Sequence, residues 1–126
     1  MNQDEIDAFE KINGQLESVY VEVSSLSKKN PNDAVSKFKL GFVNALLIAA
    51  NDVLGDDYRP AEDFSVFDVD SLPTTSDVAF VCGQYLSCLE KLRSDNIESE
   101  FGEWYWVINK RRSESFTKPP EKLKKR

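Results

Sequence analysis

At 126 residues, 40% hydrophobic and 30% charged, the chain has the size and balance of one globular domain that buries a core without staples. It carries no histidine, which excludes Ser–His–Asp and Cys–His catalysis and every histidine-containing zinc site. Its net charge of −6 is unevenly held: residues 1–109 carry 8 basic and 20 acidic side chains, residues 110–126 carry 8 basic and 2 acidic. An acidic body repels nucleic acid and anionic membranes and suits a basic protein partner, whereas the basic end does the reverse.

The chain opens on MNQDEIDAFEK, acidic where a secretory signal is basic and then apolar. A cytoplasmic protein is expected, without membrane association. In residues 4–28, Phe9, Ile12, Leu16, Val19, Val23 and Leu26 recur at alternating steps of three and four. That spacing predicts an amphipathic helix of about 22 residues with a heptad seam. KKNPND ends it, with two lysines in the last turn and then Asn30 and Pro31.

Asn32 or Asp33 caps a second helix running to Leu54, with Gly55 as its stop. Val35, Phe38, Phe42, Ala45 and Ala49 keep the same spacing, while Val43, Leu46, Leu47 and Ile48 widen the stripe to almost the whole circumference. A helix apolar all round is buried all round. This one reads as the central helix, with Gly41 admitting a close neighbour. Its apolar run GFVNALLIAA is half the roughly 20 residues of a membrane span.

Residues 56–75 form a long connection with two prolines and no helical period. FSVFDV within it offers a short strand. Asp56, Asp57, Glu62, Asp63, Asp68 and Asp70 crowd this stretch. Hard divalent cations take several such oxygens, so a metal-dependent enzyme at the acidic 56–70 loop is one reading. The calcium-loop pattern, with its central glycine and terminal glutamate, is absent. Tyr58, Phe64 and Phe67 interleave with the acids and suit a recognition surface for a basic partner better.

Ser76 with Asp77 begins a third helix, where Val78, Val81, Tyr85, Cys88 and Leu92 again step by three and four. Cys82 and Cys88 are six apart on it, about 9 Å along the axis, beyond the roughly 7 Å that a disulfide spans. Both read as reduced core residues. The five glycines, at 14, 41, 55, 83 and 102, form no phosphate-binding loop.

After Asp95 or Asn96 as a cap, Ile97, Phe101, Trp104 and Ile108 fit one face of a short helix. EWYWVI alone is equally well composed as a strand, but a strand needs a partner and only FSVFDV offers one. The helix is preferred. Trp104, Tyr105 and Trp106 would then point about 100° apart, leaving Trp106 as an interface anchor beside Arg111 and Arg112.

The expected fold is therefore all-α: three long helices and a short C-terminal helix in residues 1–110, then a basic, disordered tail over 111–126. The alternative is α+β, with a small hairpin pairing 64–69 with 103–108. The expected function is a non-enzymatic acidic helical interaction protein (an adaptor, inhibitor or immunity-like module) with no cofactor. Its partner-binding surface comprises Asp56, Asp57, Tyr58, Glu62, Asp63, Phe64, Phe67, Trp106, Arg111 and Arg112. A homodimer through the free seam of the first helix is expected. The alternative function is a nucleic-acid accessory protein using residues 110–126.

Overall fold

The computed structural model describes residues 1–121. Helix α1 (Gln3–Lys29) begins at a capping box: the Asn2 side chain accepts from the Glu5 N–H at 2.8 Å, and Glu5 Oε1 accepts from the Asn2 N–H at 3.1 Å. Ile6, Phe9, Ile12, Leu16 and Val23 bury its seam. Helix α2 (Lys37–Tyr58) is capped by Ser36, and helix α3 (Thr75–Ser94) by Thr74. Gly55 takes φ 64° and kinks α2 one turn before its end. The α1–α2 loop is zipped to the start of α3: Val35 N–H donates to Pro73 O, Thr75 N–H to Asp33 O, and Thr75 Oγ1 to Asn30 O.

The fold is α+β, which corrects the all-α expectation. A three-stranded antiparallel meander follows α3, in the order β1 (Ile97–Glu100), β2 (Glu103–Ile108), β3 (Arg111–Thr117). Its hairpins turn on the pairs Phe101–Gly102 and Asn109–Lys110, all four at positive φ. Two-residue hairpin turns with both residues left-handed match the right-handed twist of the strands they join. Residues 103–108 are thus a strand, as the α+β alternative held, but its neighbours are 97–100 and 111–117.

Residues 64–69 form no strand; they run into a short 3₁₀ turn (Val69–Ser71). Their backbone is engaged elsewhere. The Asn44 side chain accepts from the Phe67 N–H and donates to the Phe67 carbonyl, both at 2.9 Å, and Asn51 donates to Ser65 O. Two asparagines of α2 thereby do what a paired strand would do for this segment. Residues 111–117, expected to open a disordered tail, are the third strand; the rest of that expectation, from 122 onward, lies outside the described residues.

The sheet docks on α1 through Trp106. Its ring, 1% exposed, meets Phe9 edge-on at 5.1 Å, and its indole N–H donates to Glu10 at 3.0 Å. A second attachment lies on α3. Arg93, 2% exposed, forms a two-point ion pair with Glu90 and donates also to Thr117 Oγ1, Lys118 O and Pro119 O. Glu90 in turn accepts from the Glu121 N–H. All five guanidinium N–H groups are used, and together they clamp the end of β3 and the residues after it to α3.

Candidate functional site

The ten residues expected to form one partner surface are spread over three places. Phe64 and Phe67 lie inward: their rings meet at 5.2 Å, Phe64 meets Tyr85 at 6.5 Å, and Phe67 is buried. They complete the core beneath the long connection. Trp106 is the sheet's core anchor, so its assignment to an interface is corrected. Tyr58 is half-buried and donates to Asp95 at 2.8 Å. That bond to a carboxylate, with burial behind it, pushes the phenol above its ordinary value. Lys91 and Tyr58, both donating to Asp95, hold that carboxyl below its own. The three residues tie the end of α2 to the end of α3.

Asp56, Asp57, Glu62 and Asp63 are exposed around the end of α2. Among the described residues, no three acidic or cysteine side chains converge as a metal-binding group. Arg111 is exposed on β3. Arg112 lies 4.4 Å over the Tyr105 ring and pairs with Glu100. Tyr105 in turn meets Phe116 across the β2–β3 ladder at 4.9 Å. This outer sheet face is a satisfied cross-strand cluster bearing an aromatic surface. Its strands also carry Glu98, Glu100, Glu103 and Glu114, whose charge opposes phosphate.

The surface that the ten expected site residues left out lies between α1 and α2, and takes Val19, Val23 and Leu26 from the α1 seam expected to pair with a second copy. These helices run antiparallel, and the furrow between their linked ends encloses about 370 Å³. Val23, Val35 and Val43 are its buried floor. Leu26, Phe38 and Phe42 form its walls, with Phe38 88% and Phe42 54% exposed. A Glu22–Lys39 ion pair at 3.5 Å bridges the two helices at this end. Shallower hollows continue between the helices to Ala8, Asp52 and Val53 near the other end.

The second helix is therefore not buried all round. Its core face is Leu40, Val43, Leu47, Ala50 and Leu54, whereas Phe38, Phe42 and Ile48 (62% exposed) point outward. Lys37–Tyr58 is long and apolar enough by length and composition to cross a bilayer, with a third of that apolar window buried; one face packs in the core and its asparagines bond to residues 65–67. The missed signal was present in the sequence: a helix too apolar for the partners its own chain supplies.

Elsewhere, Cys82 is buried and Cys88 half-buried, both as free thiols raised by burial, Cys82 to about 12. Neither has the lowered thiol pKa that makes a cysteine nucleophilic. No family model matches this chain, and neither does any curated protein or solved structure.

Proposed function

We propose that this chain is a non-enzymatic protein-interaction module that holds a partner helix against the exposed α1/α2 face. The observation that supports the reading best is Phe38, 88% exposed beside half-exposed Phe42 on the wall of an apolar furrow. Apolar surface of this kind, contiguous and rimmed by charge, is the usual mark of a protein contact. An amphipathic helix laid in a groove reads such walls at steps of three and four. The lack of histidine and the raised thiols favour binding over catalysis. The acids on the sheet strands favour a protein over a nucleic acid.

The test is size-exclusion chromatography of the chain purified from its source cells at native abundance. Wild type is expected to elute as a complex and Phe38→Asp as the free chain, with an unchanged circular dichroism spectrum because position 38 is solvent-facing. A complex that survives Phe38→Asp overturns the reading.

A further inference from the structure

We infer that the occupant of the α1/α2 face is a second copy of the same chain, packed antiparallel across a two-fold axis at Ala45 of α2. This rests on the reading of that face as a protein interface and names the partner. The outward residues of α2 are Phe38, Phe42, Ala45, Ile48 and Asp52, at steps of 4, 3, 3 and 4. Those steps lie on one helical face, and their order is the same read from either end. The spacing is symmetric about Ala45, and its apolar middle, Phe42 to Ile48, is self-complementary when a copy is turned end for end, as an isologous interface requires. Phe42 of each copy then meets Ile48 of the other, Gly41 meets Ala49, and Phe38 meets Asp52.

Charge supports the same orientation. At the linked end of the helix pair Lys28, Lys29, Lys37 and Lys39 stand with Glu22, Asp33 and Asp70, Glu22 pairing with Lys39 and Asp70 with Lys37; at the opposite end stand Asp4, Glu5, Asp52, Asp56 and Asp57. Among the described residues, the lysines of this face are thus gathered at its linked end, and unpaired acidic charge at the other. Antiparallel pairing sets Lys37 and Lys39 across from Asp52 of the partner copy. Parallel pairing would set like charges together, which selects against it.

Gly41 fits the same crossing. Beyond its chain neighbours and its own helix backbone, no atom of the described residues lies within 4 Å of where a Cβ on Gly41 would stand. Glycine within a helix is unfavourable relative to alanine, and nothing in the monomer requires it. A second helix crossing at Ala45 does, because small residues let two backbones approach. The exposed parts of Phe38, Phe42 and Ile48 present on the order of 400 Å² per copy. Two copies bury about 800 Å² from these residues alone, half of a standard interface, with the charged ends and the α1 wall still to add.

Sedimentation equilibrium of the full chain tests this. Wild type is expected to show a concentration-dependent monomer–dimer equilibrium that weakens with salt. Lys37→Glu/Lys39→Glu makes both ends acidic, Asp52→Lys/Asp56→Lys makes both basic, and each should weaken self-association at least tenfold. Mixing the two variants should recover a heterodimer at least as tight as wild type, an outcome that a folding defect cannot produce. Gly41→Leu should weaken the dimer while raising the thermal midpoint of the monomer.

A chain that stays monomeric to millimolar concentration overturns the inference, as does a dimer indifferent to Phe38→Asp or a mixture that gives no heterodimer. A monomeric wild type whose complex from cells still depends on Phe38 would end this inference and leave the interface reading standing.

Discussion

Cys82 sits on the buried face of α3, where burial pushes its thiol from an ordinary value of 9 up to about 12. The folded chain holds that proton more tightly than the unfolded chain does. Below pH 9 both states keep it. Between pH 9 and 12 only the unfolded state ionises, so this group removes stability as pH rises, with a limiting slope of about 1.4 kcal/mol per unit. Cys82→Ala lacks that contribution. The stability of wild type relative to Cys82→Ala should therefore fall by about 1.4 kcal/mol between pH 8 and pH 10 in paired urea titrations. A difference constant over that range would contradict the burial of the thiol. The steps of three and four in α3 ran through Val81 and Cys88, which are half-buried, and Cys82 beside them is the more buried position. For Trp106 the same logic failed, because a three-residue aromatic run points each ring differently in a helix and in a strand. Once residues 103–108 are extended, alternation sends Trp106 inward to Phe9 and turns Tyr105 outward.

At the scale of elements, three helices were readable because each carries a heptad-like seam that one neighbouring surface buries. The sheet was not, although EWYWVI has the composition of a strand. Its partners IESE and RRSESFT are polar and half-exposed, and edge strands with one wet face lack the apolar alternation that identifies a strand. The turns hid as well: Phe101–Gly102 and Asn109–Lys110 place large residues where Asn–Gly is the usual signal. What holds β3 in place is the Arg93–Glu90 clamp, whose i, i+3 pairing resembles a surface pair in the sequence. Removing one partner of a buried ion pair costs about 3–5 kcal/mol. Arg93→Ala should lose that much in urea unfolding, well beyond the effect of an exposed pair such as Lys37–Asp70. A chain ending at Lys110 loses the third strand and the clamp together, and should be destabilised at least as far. If that truncation unfolded at the wild-type denaturant midpoint, residues 111–121 would be the dispensable tail that their composition suggests.

Across the whole molecule, α2 is the element whose reading decides the function. Its all-round hydrophobicity was evident in the sequence, and the inference that its own chain buries it was the error. Among the described residues α1, α3 and the connection after α2 pack on this helix, and they reach its core face and its asparagine face but leave Phe38, Phe42 and Ile48 exposed. The acidic residues at 56–63, which composition singled out, stand around the end of that helix and away from the furrow. Excess apolar surface on α2 was the stronger signal, and the aromatic residues among the acids turned inward to the core. The most direct measurement replaces Phe38 with a photo-crosslinking phenylalanine analogue and, in a second sample, Glu62, followed by irradiation in cells and mass analysis of adducts. A protein adduct at position 38 with none at position 62 is the predicted result. Adducts at position 62 alone, or none at position 38, would contradict the assignment of the α1/α2 face as the working surface of this protein.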